Sequence, residues 1–251
     1  MKRKNRRLHK MLNRSEGLRV PMEAHGFGAT RIEDALMLPL RLDNETAYLG
    51  LWARLGDHFH SQWERGPLHA KVCLAQESRG QWVLERFNET AFYKSLVAPN
   101  YKKIIQKSGV SLAIADQMAN AIEQKLQEGP QSLDVLKTEA SLFEVESITE
   151  SRTEAGHDSV FAVVLDALFR SRRLVRLPVE NSWEFHVWSV ALSEASKPYE
   201  EAVSLVAERY CDAFPFGQLE DFCWWAQVQK SKVKADFIKA KTLWRNANEQ
   251  D

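Results

Sequence analysis

The segment SVFAVVLDALFRSRRLVRLPVENSWEFHVWSV, residues 159–190, decides the fold, because it passes from a helical pattern to two strand patterns. Its first part, SVFAVVLDALFRSRR, predicts an amphipathic helix that ends in arginines. The parts LVRLPV and WEFHVWSV are rich in β-branched and aromatic residues and predict two strands around a turn at Glu180-Asn181-Ser182. The segment is therefore one helix followed by a two-stranded ribbon.

Two predicted helices and a loop precede this segment. VSLAIADQMANAIEQKLQEG, residues 110–129, has a helical pattern that Gly129-Pro130 ends. Ser132 can cap the short helix SLDVLKTEA, because its hydroxyl can accept a hydrogen bond from an unpaired first-turn amide. Residues 146–158 are polar and predict a loop. The order of helix, turn, short helix, loop, helix and ribbon predicts a winged helix-turn-helix. In such a module the third helix enters the major groove of DNA, while the ribbon contacts the backbone or the minor groove.

The start of the same unit recurs near the C-terminus. PYEEAVSLVAERYCDAF and LEDFCWWA predict two helices around Phe216-Gly217, and KSKVKADFIKAKTLW predicts a basic third helix. Gln227 and Gln229 are expected in the turn before that helix. No ribbon follows before Asp251, so we expect this module to be incomplete.

The N-terminal part has a weaker version of the pattern. A helix is predicted from about Thr30, with Pro39 near its end, and ETAYLGLWARLGDHFHSQWERG has apolar residues spaced four apart, which predicts another helix. Two strands are predicted within residues 72–87. The sequence thus predicts a mainly α, α+β chain of tandem winged helix-turn-helix modules, divided into a basic flexible tail at 1–17, a divergent module at 18–97, a central module at 98–192 and an incomplete module at 193–251.

Composition restricts the class of protein. The chain has 251 residues, of which 44% are hydrophobic and 27% charged, so it can bury a sizeable core. It contains no apolar run long enough for a membrane span or a secretory signal, and we expect a cytoplasmic, monomeric protein that associates with the nucleoid when bound to DNA. Cys73, Cys211 and Cys223 form no CxxC pair, which favours reduced, mostly buried thiols over disulfides or a zinc ribbon.

The net charge is zero, so affinity for nucleic acid must come from local basic clusters. Each cluster could instead be an ordinary solvated face. The clusters consist of Lys2, Arg3, Lys4, Arg6, Arg7 and Lys10; of Arg170, Arg172, Arg173 and Arg176; and of Lys230, Lys232, Lys234, Lys239 and Lys241. The second cluster falls at the end of the predicted third helix and the start of the ribbon, where phosphate contacts are expected.

Two further patterns bear on possible chemistry. Asp57-His58-Phe59-His60 suggests a metal site, but residues two apart do not share a helix face, and we predict neither a metal nor a cofactor. Trp224 and Trp225 point about 100° apart on a helix. We expect Trp225 to pack inside and Trp224 to be half exposed, and the alternative is that Trp224 forms the floor of a catalytic pocket.

Several segments resemble the AlkZ-like tandem winged-helix DNA glycosylases. AERYCDAFPFGQLEDFCWWAQV is similar to the family's R-Y-x-x-x-F-G-P-x-x-x-D-F-x-x-W-x-G, if one residue is inserted before Phe216. ETAYLGLWARL is similar to its S-A-x-L-x-L-W-x-R-L, KLQEGPQSLDVL to its L-x-x-G-P-x-x-x-x-x-L, and SRGQW to its R-G-T-L-H in Arg79 and Gly80 alone. The resemblance implies double-stranded DNA as the partner and excision of alkylated or crosslinked bases by hydrolysis of the N-glycosidic bond.

The sequence departs from that family at the catalytic motif. The water-positioning Gln-x-Gln falls on Leu40-Arg41-Leu42, and the family's threonine and histidine fall on Gln81 and Val83. The nearest candidate catalytic residues are Asp43 and Asn44, although Asp43 could simply cap the following helix. A non-catalytic DNA binder or transcriptional regulator, and a protein-interaction scaffold, are the alternatives. The expected DNA-binding residues are Arg54, Arg79, Arg170, Arg172, Arg173, Arg176, Lys230, Lys232 and Lys234.

Overall fold

The fold is taken from a computed structural model of the chain. It describes residues 29, 31–36, 39–42, 47–59, 72–76, 82–141, 159–178, 187–191 and 198–248. The predicted tail at 1–17, the loop at 146–158 and the turn at 180–182 lie outside these residues.

Helices predominate among the described residues, and the strands form one antiparallel sheet, which confirms the α+β prediction. The strands are β1 (Leu40–Leu42), β2 (Val72–Gln76), β3 (Trp82–Arg86), β4 (Leu174–Leu177) and β5 (Val187–Val190). The helices are α1 (Ile32–Ala35), α2 (Ala47–Leu55), α3 (Thr90–Val97), α4 (Tyr101–Ser108), α5 (Leu112–Gln127), α6 (Leu133–Ser141), α7 (Val160–Arg170), α8 (Tyr199–Ala213), α9 (Leu219–Ala226) and α10 (Lys230–Asn248).

The sheet joins the two strand pairs that the sequence predicted separately. The strand order is β1-β3-β2-β4-β5, and the halves meet where Leu74 of β2 pairs with Arg176 of β4. Beyond β5, Gln131 forms an isolated bridge with Trp188. The two halves have the same connectivity, because in each an extended segment pairs with the second strand of the hairpin that follows it. In one half β1 pairs with β3, and in the other Gln131 pairs with Trp188 of β5. The first strands of the two hairpins, β2 and β4, then pair with each other.

The segment Leu40–Leu42 is a strand, whereas the sequence predicted the end of a helix. Proline disfavours a helical conformation in the residue before it and lacks an amide hydrogen, so Pro39 separates α1 from β1. β3 supplies the partner, with Arg41 opposite Val83. The prediction was wrong because that partner lies far away in the sequence.

Serines cap both central helices, and the sequence predicted the first of these caps, Ser132. The hydroxyl of Ser132 accepts a hydrogen bond from the amide of Val135 at 3.4 Å, ahead of α6. The hydroxyl of Ser159 accepts one from the amide of Ala162 at 3.2 Å and begins α7. Helix α7 is amphipathic as predicted, but its polar face is narrow, because eight of its eleven residues are buried. It is therefore a core helix, packed against α4, α5 and the sheet.

The predicted C-terminal helices α8, α9 and α10 are confirmed, with Gln227 and Gln229 in the turn before α10. They enclose a core around Tyr210, whose ring lies 5.2 Å from that of Phe222 and 5.5 Å from that of Trp225. Trp225 is half-buried and packs against this core, while Trp224, which was expected to be half exposed, is 66% exposed. Tyr93 of α3 joins the same core and connects this helical unit to the rest of the chain.

The cysteines are reduced and mostly buried, as the sequence predicted. Cys73 and Cys211 are buried, Cys223 is half-buried, and all three are free. In the part of the chain that the structure describes, no helix has both the length and the apolar character needed to cross a bilayer.

Candidate nucleic-acid interface

The positions that the resemblance assigns to catalysis lie next to each other in the sheet. β1 pairs with β3, so that Leu42 is opposite Trp82 and Arg41 is opposite Val83. Val83 is fully buried, and its apolar side chain cannot hydrogen-bond to a water. Asp43, Asn44, Gln81 and Arg79 lie outside the described residues.

Helix α2 follows the candidate catalytic segment. Leu51 and Leu55 form its buried stripe, but the helix ends at Leu55 and does not continue through the buried Phe59 as predicted, because Gly56 has a φ of 51°. Arg54 lies in its last turn, half-buried, and burial lowers the pKa of its guanidinium group. His58 is exposed beside the buried Phe59. Among the described residues, no three His, Cys, Asp or Glu side chains are grouped so that they could hold a metal ion.

Arg172 was predicted to contact phosphate, and that prediction is wrong because the side chain is buried. Only 1% of Arg172 is exposed, and its Nη1 donates to both carboxylate oxygens of Glu85, at 2.5 Å for Oε2. Its guanidinium carbon lies 5.6 Å from the ring centre of Tyr93, within the range of a cation–π contact. A burial of this kind is tolerated because the charge is paired. Arg172 thus ties the end of α7 to β3.

The other arginines of this cluster also make contacts within the protein. Arg173 donates from Nε to Glu123 at 2.7 Å and lies 4.8 Å from the ring centre of Tyr101. Arg170 bonds Asp166 at 3.4 Å.

Arg176 lies between two tryptophan rings. Its guanidinium carbon is 5.1 Å from the ring centre of Trp82 and 5.3 Å from that of Trp188. Burial lowers its pKa. The cluster therefore joins helices and strands to each other, and it does not form an open cationic surface.

Helix α10 carries several exposed positive charges. Val233, Phe237 and Ala240 face the core, at the spacing of one helix face. A second face contains the basic stripe, which we define as Lys230, Lys234, Lys241 and Arg245, with Ile238 between them. Lys234 and Arg245 are exposed and have no ion pair among the described residues. The stripe contains no acidic residue, since Asp236 lies on another face of α10.

Two members of the basic stripe are held by other groups. Lys230 forms an ion pair with Glu220 of α9. The ammonium group of Lys241 donates to the carbonyl oxygens of Pro215 and Gly217, the latter at 2.9 Å. Lys234 and Arg245 therefore remain as the cations that can reach a partner without breaking a contact that the structure describes.

Lys232 lies on the opposite side of α10, in a shallow groove. Its Nζ is 5.9 Å from the ring centre of Tyr199, and Glu200 and Asp236 line the same groove. The two carboxylates balance the charge of Lys232. The predicted lysine cluster is thus divided, with Lys230 and Lys234 in the stripe and Lys232 in an acidic setting.

Sequence reasoning missed two exposed residues of this surface. Lys241 follows Lys234 by seven residues, and Arg245 follows Lys241 by four, so Arg245 lies on the same helix face. Extending the helical pattern would therefore have found it. Phe216, in the turn before α9, is 61% exposed. Phenylalanine is more often buried, so its exposure has no signal in the sequence.

Comparison with solved structures gives a fold relative. The fold is similar to that of Streptomyces sahachiroi DNA glycosylase AlkZ, with a TM-score of 0.61 and 18% sequence identity. The similarity covers 88% of this chain and 62% of that glycosylase, so this chain spans less than two thirds of its length. No protein-family model and no curated protein matches the sequence. The likeness confirms, for the fold, the resemblance that the motifs indicated.

Proposed function

We propose that this chain binds double-stranded DNA on a tandem winged-helix scaffold and is a glycosylase that hydrolyses the N-glycosidic bond of alkylated or crosslinked bases. The repeated connectivity of the two sheet halves supports the tandem arrangement. In both halves a short extended segment, at least one helix and a hairpin follow one another, as they do in a winged helix. The shared fold with AlkZ supports the choice of partner and reaction.

The basic stripe of α10 is the observation that carries DNA binding. Lys234 and Arg245 are separated by three turns of helix, or about 16 Å along the axis at 1.5 Å per residue. Two such cations on one face can contact separate phosphates and release their counterions. The same helix follows α9 after a short turn, as a recognition helix does. Lys230 joins the contact once its ion pair with Glu220 is exchanged for phosphate.

The reaction would need little from the protein. Cationic alkylated purines are good leaving groups, so the site has to place a water at the sugar carbon and stabilise developing positive charge. Leu40 and Leu42 have no hydrogen-bonding side chain, whereas Asp43 and Asn44 follow β1 directly. We assign the positioning of the water to Asp43, with Asn44 as a second polar group. We assign contacts with the DNA backbone to Arg54 and Arg79.

DNA binding is tested by fluorescence anisotropy on a duplex at several salt concentrations. In the Lys234→Ala/Arg245→Ala variant, we expect weaker binding to any sequence and a log–log salt slope smaller by about 2. The matched control is Lys232→Ala/Lys239→Ala, which removes two charges from the same helix on other faces. Equal losses in both variants, or no binding by the wild-type protein, would contradict this interface.

Catalysis is tested by release of free base from a duplex that contains 7-methylguanine. We expect release above the buffer blank, and a loss of release in Asp43→Asn with DNA affinity unchanged. If a protein that binds the duplex releases no base, the chain is a non-catalytic DNA binder. Leu40, Leu42 and the buried Val83 favour that second function.

A further inference from the structure

Phe216 is presented to solvent by a turn that is fixed on both sides. The turn joins α8 to α9 and is closed by a hydrogen bond from the amide of Gly217 to the carbonyl of Phe214, at 2.9 Å. Pro215 is buried, whereas 61% of Phe216 is exposed. The residues around Phe216 therefore belong to the core while its own ring does not.

Two contacts hold the turn in place. The ammonium group of Lys241 donates to the carbonyl oxygens on either side of Phe216, those of Pro215 and Gly217. Gly217 packs so closely on Tyr210 that a Cβ atom would lie 2.7 Å from Cε1 of that ring. An aromatic side chain on a backbone that is already ordered loses little conformational entropy when it binds.

The turn lies against the basic stripe. Lys241, which holds it, is between Lys234 and Arg245 on the same face of α10. The nearest acidic side chains of α9 are both occupied: Glu220 pairs with Lys230, and Asp221 accepts a hydrogen bond from the amide of Gln218 at 3.1 Å. An exposed ring next to cations fits a partner with both flat apolar faces and negative charge.

Nucleic acid has that combination, because every base has a face on which an aromatic ring can stack and every nucleotide has a phosphate. We propose that Phe216 stacks on a nucleobase that has lost its pairing partner, while Lys234 and Arg245 hold separate phosphates of the same duplex. This rests on the proposed DNA binding and assigns to it a preference for damaged or unpaired positions. An unpaired base costs less to displace from the stack than a paired one, and this is the source of the preference.

The test compares a fully paired duplex with the same duplex carrying one abasic site, so that a single base is left unpaired. Wild-type protein is expected to bind the abasic duplex more tightly. Phe216→Ala is expected to weaken binding to that duplex by about 5- to 100-fold, the usual effect of removing one stacking ring, and to abolish the preference. Phe216→Tyr is expected to keep the preference, because it keeps the ring.

Two controls separate stacking from other effects. Phe216→Ala should leave the salt slope unchanged, since it removes no charge, whereas Lys234→Ala should reduce it. Trp224→Ala removes another exposed aromatic ring, on α9, and should bind both duplexes as the wild type does. Salt-dependent binding by Phe216→Ala with the preference intact overturns the stacking role alone. If the wild-type protein binds neither duplex, DNA binding itself is refuted and the stacking role falls with it.

Discussion

Arg172→Met should destabilise the protein strongly. It should not change the salt dependence of DNA affinity. The substitution removes the charge that pairs with Glu85 but keeps an apolar side chain in the place of the arginine stem. Both partners are 1% exposed, so the carboxylate of Glu85 would stay buried after losing its ion pair with Arg172. The backbone at position 172 is left-handed, with a φ of 53°. Methionine has the same steric cost there as arginine, so the substitution does not change the backbone strain.

The magnitude is set by this burial. Removing one partner of a buried ion pair typically costs about 3–5 kcal/mol, because the remaining charge is uncompensated. Such a loss is a large part of the roughly 5–15 kcal/mol by which a typical domain is stable. The double variant Glu85→Leu/Arg172→Met removes both charges, and we expect it to recover most of the lost stability.

Urea unfolding, followed by tryptophan fluorescence, measures these differences. The matched control is Lys230→Met, which breaks the ion pair with Glu220, where 56% and 66% of the two side chains are exposed. We expect no measurable change in that control, because exposed ion pairs contribute little. The reasoning is refuted if Arg172→Met is no less stable than Lys230→Met, or if the double variant is as unstable as Arg172→Met.

Two other predictions concern the C-terminal unit and the thiols. Gly217→Ala should lower stability by about 1–3 kcal/mol in thermal unfolding, because the new Cβ would lie 2.7 Å from Cε1 and 2.9 Å from Oη of Tyr210. With iodoacetamide at pH 8, mass spectrometry of the proteolytic peptides should show Cys223 alkylated first. Burial raises the pKa of Cys211 to about 11 and raises that of Cys73 as well, so these thiols should react only after unfolding.

Local signals predicted the helices well. The Ser132 cap and the glycine at position 129, whose φ of 138° suits that residue, lie within a few residues of the helix ends that they specify. Strand β1 could not be predicted in the same way, because its hydrogen bonds depend on β3. The connection of the hairpins through Leu74 and Arg176 likewise depends on residues that are far apart in the chain.

The candidate interface divides along the same line. Lys230 and Lys234 lie in a helical sequence pattern, and the sequence therefore predicted them on a basic helix. Arg172 was expected at the surface because it falls between the predicted third helix and the ribbon, where phosphate contacts are expected. Its partner Glu85 is 87 residues away, and only the packing of α7 on the sheet brings them together. The charge of a residue is visible in the sequence, but its partner is not.

The sheet accounts for why α10, and not α7, carries the exposed basic face. In the half of the sheet formed by β4 and β5, the hairpin is used to pair with β2, and α7 fills the space against it. A helix that is buried on eight of its eleven residues has no face left for a DNA groove. The unit of α8, α9 and α10 adds no strand to the sheet among the described residues, so α10 packs on one face and exposes another. Contact with DNA is therefore expected at the unit that the sheet leaves free.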